Sequence, residues 1–260
     1  MEARPIAPLF TVGGVFSLAF QTLYGCRWYA LLLLPAASAS TALRMLAAPE
    51  IDRVLSAGWS SIVDDWLALL PQMPAILAFT HVALRHTLQE SIAPRVLCTA
   101  PWRRLLVLTA AGMAFQVATY WPSSALTWTA LPAQNVGNYL ILWANVLAVD
   151  VTCFVFLPAL LEERASVLAA VRRSFELIRR HPWRILAIDC ASWAFLIALN
   201  EGATIAYYAF GWGIEVWASW VTIWYVVAMS LNTALVVAVY RLLRLEREGP
   251  ARAFLAKVFE

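Results

Sequence analysis

The sequence predicts an all-α integral membrane protein whose six transmembrane helices form three parallel units, each an interfacial helix followed by a transmembrane hairpin, with both termini cytoplasmic. Three observations predict it. Of the 260 residues 62% are apolar and only 13% charged, with 13 Trp, more hydrophobic surface than a soluble core of that length can hide. Six apolar stretches, at 28–46, 62–84, 105–126, 139–161, 183–206 and 217–240, each reach the roughly 20 helical residues that cross a hydrocarbon core. Finally, 17 of the 19 Lys and Arg residues fall on the N-terminus or on the second, fourth and sixth connections, leaving only Arg44 and Arg53 on the opposite side. The positive-inside rule places the rich side in the cytoplasm.

Along the chain, 11–24 reads as the first interfacial helix. Thr11 is its N-cap, Val12, Phe16, Ala19, Phe20 and Leu23 form one side, and Ser17 and Gln21 lie on another. Span one opens at Cys26-Arg27-Trp28, and Pro35 predicts a kink within it. The connection from Pro49 to Ser61 is accounted for by a short helix ending near Gly58, after which Ser61 with Asp64 resembles a capping box for span two. Pro71 and Pro74 each remove a backbone donor from span two, which serves either helix packing or a cavity.

A second interfacial helix is expected at about 86–99, before Ala100-Pro101-Trp102-Arg103-Arg104 opens span three. The connections 122–138 and 210–216 contain no basic residue and are rich in Pro, Gly, Asn and Trp, as expected of exposed turns in an aromatic belt. The third interfacial helix, 162–180, is the clearest, with Val167, Val171, Phe175 and Ile178 at steps of three and four and Arg164, Arg172, Glu176 and Arg179 on other faces. His181-Pro182-Trp183-Arg184 then opens span five. The recurring Trp and Arg at the odd spans supports a threefold repeat, although ordinary interfacial anchoring gives the same pattern. No separate soluble domain is expected, and the whole chain reads as one polytopic unit.

Polar residues within spans are the candidate functional groups. Asn145 and Asp150 fall in span four, Asp189 in span five, Asn232 in span six and His81 near the cytoplasmic end of span two. A carboxylate at such a depth is costly unless it meets a partner or water. Asp150 lies deepest, as an ion or proton site or as a fastening to a neighbouring helix. Asp189, His81 and Asn232 share a depth, so Asp189 is expected to face the bundle interior and meet one of them or Arg184. Glu50, Asp52, Asp64, Asp65 and Glu201 read as solvated. Arg172, Arg173, Arg179 and Arg180 read as a surface for anionic headgroups, or more sharply as a docking face for a cytosolic protein.

The chain lacks a zinc-protease His-Glu-x-x-His, a Gly-x-Ser-x-Gly elbow and a Walker loop, and His81 and His86 are five apart on different helix faces. Catalysis, metal and cofactor are therefore not expected. Cys26, Cys98, Cys153 and Cys190 have no short spacing, which disfavours disulfides and thiolate metal sites. The net charge of +3 comes from the cytoplasmic Arg clusters and leaves no basic soluble face for nucleic acid. Ala37-Ser38-Ala39 after an apolar run superficially resembles a signal cleavage site, but the long lead before the run argues against one.

Pro158, Glu163, Ala170, Arg173-Ser174-Phe175, Leu177 and Trp183-Arg184 resemble the segment between the fourth and fifth spans of a bacterial membrane family. It comprises the membrane domain of some glycerophosphoryl-diester phosphodiesterases and the YciC-like uncharacterised proteins. Tyr240-Arg241-Leu242-Leu243-Arg244 with Glu248-Gly249 is similar to the family's close, and Phe10 to Phe20 to its opening helix. The resemblance implies a six-helix domain of the bacterial inner membrane without catalytic residues to carry over. The function expected is a non-catalytic scaffold or accessory factor that engages lipid, and a partner, through cytoplasmic Arg-rich helices. A small transporter or flippase-like protein using Asp150 or Asp189 is the second reading, and a membrane-embedded lipid-modifying enzyme the third.

Overall fold

The computed structural model describes residues 10–54, 57–88, 95–98, 100–104, 106–107, 109–110, 148, 151–162, 166–211 and 213–259. These residues are mostly helical and include no strand. In chain order the helices are α1 (Val12–Gly25), α2 (Arg27–Ala30), α3 (Leu33–Val54), α4 (Ala57–Thr87), α5 (Arg95–Cys98), a 3-10 turn at Trp102–Arg104, α6 (Phe156–Glu162), α7 (Val167–Ile178), α8 (Pro182–Phe210) and α9 (Ile214–Phe259). Spans three and four fall mostly outside the described residues, as do Asn145 and Asp150.

Local signals explain several boundaries. Thr11 caps α1, its Oγ1 accepting from the Gly14 amide at 3.1 Å, and Ser166 caps α7 by accepting from the Ala169 amide at 3.3 Å. Pro182 occupies the first turn of α8, where no amide donor is needed, and Gly211 ends that helix at φ 61, a left-handed conformation that favours glycine.

Other expectations are corrected. Pro35 falls in the first turn of α3, directly after the helix is interrupted at 31–32 between α2 and α3, so the bend expected in span one is a break at the start of α3. α3 continues through Pro49 to Val54, and α4 already includes Gly58 and Ser61. No separate helix therefore ends at Gly58, and Ser61 is too far inside α4 to cap it. Pro71 and Pro74, where a kink is expected, both lie within α4. Of the helix expected at 86–99, His86 and Thr87 finish α4 and Arg95–Cys98 is helical, while 89–94 and 99 lie outside the described residues. α9 passes well beyond the expected end at 240, to Phe259.

α9 is the hub, packing against α1, α3, α4, α6, α7 and α8, while α3 and α4 pack chiefly on each other. Its residues Ala234, Leu235, Val237, Ala238, Val239 and Tyr240 are fully buried, an all-round apolar run that only a central helix can satisfy. A main core joins them to Phe10, Val15 and Ala19 of the N-terminal segment, Val155, Ala159 and Leu160 near α6, and Ile185 and Ile188 of α8. Two helices, Pro182–Phe210 and Ser219–Glu248, are long and apolar enough to cross a membrane. They differ in burial. α8 leaves Trp193, Phe195, Ile197, Ile205, Tyr208 and Phe210 exposed, an apolar surface unsuited to water.

The apolar stripes of the two amphipathic helices are only partly packed within the bundle. In α1 the buried residues are Val15, Ala19 and Thr22, whereas Val12 and Phe20 are exposed. In α7 they are Ala170, Ser174, Leu177 and Ile178, leaving Val167 and Val171 half-buried and Phe175 exposed. Small side chains at Ala170 and Ser174 let α7 approach closely, and the Ser174 hydroxyl donates to the Thr152 carbonyl at 2.8 Å. Small residues thus take the packed face, and the larger apolar side chains are split between the core and the outside.

Candidate functional site: an ion-paired layer at one end of the bundle

The C-terminal ends of α4 and α6, the middle of α7 and residues 241–248 of α9 meet in a continuous layer of guanidinium and carboxylate groups. Arg241, with its side chain 8% exposed, donates from Nη1 to Glu162 Oε1 at 2.7 Å, from Nε to Thr87 Oγ1 at 3.0 Å and from Nη2 to the Leu84 carbonyl at 3.1 Å. One helical turn on, Arg244 reaches the same Glu162 oxygen at 2.6 Å and Glu248 Oε2 at 2.9 Å. Glu248 also accepts from Arg173 of α7. The side chains of Arg173, Arg244, Glu162 and Glu248 are all at least four-fifths buried, so each charge needs the others.

The layer continues outward with weaker pairs. Glu176 of α7 takes Arg172 at 3.1 Å and Arg247 at 3.6 Å, and the Arg172 hydrogen bond holds its carboxyl below the ordinary glutamate value of 4.5. His181 Nε2 lies 3.0 Å from Glu246 Oε1, and its ring packs against Phe10 at 5.2 Å between centroids. Arg184 donates to the Phe10 carbonyl, and Arg104 to the Leu160 carbonyl at 2.7 Å. Phe10, the 3-10 turn, α6, α7 and α9 are thus bound together at one end.

This geometry divides the four Arg residues expected to bind headgroups. Arg173 is occupied inside the layer, a correction to its surface role, and Arg172 pairs along α7 while remaining largely exposed. Arg179 and Arg180 are exposed, and neither guanidinium has a protein partner among the described residues. The signal missed in the sequence is the spacing Arg241, Arg244, Glu248, which lies on one face of a helix continuing past 240.

The described intramembrane candidates, Asp189, His81 and Asn232, do not converge. Asp189 is 5% exposed, on the same packed face of α8 as Ile185, Ile188, Ser192 and Leu196, so it faces inward as expected. Its Oδ2 has no hydrogen-bond partner among the described residues, which corrects the expected contact with His81, Asn232 or Arg184. Asn232 is exposed, Arg184 turns to Phe10, and His81 is buried in α4.

A groove of about 310 Å³ lies between α8 and α9, lined by Ala198, Leu199, Gly202, Ala203, Ala206 and Trp220. None of these side chains titrates, so the groove offers no acid, base or nucleophile. Cys26, Cys153 and Cys190 are free, and burial pushes the Cys26 thiol up to about 12, which makes it unreactive. No cluster of metal-ligating side chains occurs among the described residues. No family model matches the chain, and no match was found among curated proteins or solved structures.

Proposed function

We propose that the chain is a non-catalytic six-span protein of the bacterial inner membrane, with both termini cytoplasmic, that serves as a scaffold or accessory factor engaging anionic lipid through its basic end. It is a single polytopic domain of three interfacial-helix-plus-hairpin units, related to the YciC-like family. The observation that supports this reading best is the ion-paired layer joined to apolar helices. Its buried carboxylates neutralise Arg residues within the protein, while α8 leaves the layer as an exposed apolar helix. A protein built in this way places charge at the headgroup level and hydrocarbon-compatible surface beyond it.

Orientation is tested by cysteine labelling in a Cys-free background. A Cys at Ser124 is modified from outside intact cells by an impermeant reagent and one at Arg179 is not; the reverse pattern refutes the orientation. Function is tested by comparing membrane lipid composition and solute uptake between a deletion strain and wild type. An altered lipid composition with normal uptake supports the scaffold reading.

The second reading, a small transporter, draws support from Asp189, a buried carboxyl with an orphan oxygen. Loss of uptake of a defined solute in the deletion strain, reproduced by Asp189→Asn, would establish it over the first. Nothing in the groove chemistry favours a lipid-modifying enzyme.

A further inference from the structure

The Arg residues of the basic end differ in how far carboxylates hold them. Arg173, Arg241 and Arg244 are held by Glu162 and Glu248, and Arg172 and Arg247 share Glu176. The corner where α7 turns into α8 is different. Arg179 and Arg180 lie there consecutively, exposed and without a protein partner among the described residues. Three residues later Trp183 is 79% exposed in the first turn of α8, and along the outer face of α7 Leu168 and Phe175 are 80% and 56% exposed.

Unpaired cations beside exposed apolar and aromatic side chains match a boundary between phosphate and acyl chain. Depth agrees with this. α8 spans about 43 Å at ~1.5 Å per residue, and its apolar run begins at Ile185, so Arg180 lies within roughly 8 Å of the start of that run.

We propose that the α7–α8 corner is a lipid site in which Arg179 and Arg180 hold the phosphate of an anionic phospholipid while Trp183 and Phe175 lie against its glycerol and upper acyl chain. This rests on the membrane reading above and deepens it, assigning lipid selectivity to two residues. The ion-paired layer contributes indirectly: by pinning α7 to α9 through Arg173–Glu248 and Arg247–Glu176, it fixes the corner in place.

The test is native mass spectrometry of the purified full chain in detergent micelles supplied with equal phosphatidylglycerol and phosphatidylcholine. Wild type is expected to retain phosphatidylglycerol preferentially. Arg179→Gln/Arg180→Gln is expected to lower that retention at least fivefold, the equivalent of ~1 kcal/mol for one basic residue at the leaflet, with phosphatidylcholine unchanged. Arg53→Gln, in an exposed pair with Glu50 and remote in sequence from the corner, is the control and retains the preference.

If wild type prefers phosphatidylglycerol and the double variant does so equally, the corner assignment is overturned and the wider lipid reading survives. If wild type shows no preference, both are overturned. Displacement of the lipid by an equal concentration of glycerol 3-phosphate would overturn the bilayer as the source of the phosphate. Should the double variant fail to fold, Arg180→Gln alone is read by the same criteria.

Discussion

Arg241 of α9 and Glu162 of α6 form a 2.7 Å ion pair although 79 residues separate them. The pair closes the basic end of the bundle, because Arg241 also donates to Thr87 and Leu84 at the end of α4. Removing one partner leaves the other charge buried. Glu162→Gln leaves Arg241 buried without a carboxylate and Arg244 with Glu248 alone, and is expected to destabilise by about 3–5 kcal/mol. Thermal unfolding in detergent reads this directly. The double variant Glu162→Leu/Arg241→Met, which removes both charges, is expected to recover much of the loss; recovery of none of it would show that the pair is not the unit of stability.

Gly25 marks a close approach between the end of α1 and α4. A Cβ there would lie 2.1 Å from His86 Nε2 and 2.4 Å from its Cε1, so the imidazole must move. Gly25→Ala is therefore expected to cost about 1–3 kcal/mol by overpacking. The second variant Gly25→Ala/His86→Ala removes the obstacle and should return most of it. An alanine tolerated at Gly25 without any His86 change would mean that the ring turns aside freely.

Glu176 supplies a prediction in pH. The Arg172 hydrogen bond holds its carboxyl below 4.5, so its ion pairs are fully present above the ordinary value and are lost as pH falls through the lowered one. Carboxyl chemical shifts should give a midpoint under 4.5, moved upward by Arg172→Gln. A midpoint unaffected by that change would place the cause elsewhere.

How much of this was legible in the sequence depends on how local the cause is. Thr11 as a cap and the start of α8 at His181-Pro182-Trp183 follow from neighbouring residues, and they appear where expected. The failures have tertiary causes. A short helix ending near Gly58 is expected after Pro49, yet α3 carries Pro49 within it and α4 already includes Gly58. Hydrophobic periodicity identified α7 but not its packed face, because close approach favours Ala170 and Ser174 over Val171 and Phe175. The ionic layer was least legible. Charge asymmetry placed the Arg residues at one end, but whether each meets a carboxylate or a phosphate depends on Glu162 and Glu248, contributed from distant parts of the chain.

Asp189 offers the sharpest division between the two leading functions. It is buried on α8 beside Ser192, and its Oδ2 finds no hydrogen-bond partner among the described residues. A polar group in that condition contributes little to the fold, and its replacement by an apolar residue of similar size is nearly neutral or stabilising. Asp189→Asn is therefore expected to change unfolding free energy by less than ~1 kcal/mol, and Asp189→Leu to leave it unchanged or raise it. A loss above ~2 kcal/mol in Asp189→Leu would mean that the carboxyl is bonded in the folded protein, which would refute the orphan assignment. If both variants fold normally and uptake is also unaffected, the buried acid has neither a structural nor a transport role and the scaffold reading stands. If both fold normally and uptake of a solute is abolished, function alone accounts for a buried carboxyl at this position, and the protein is a transporter.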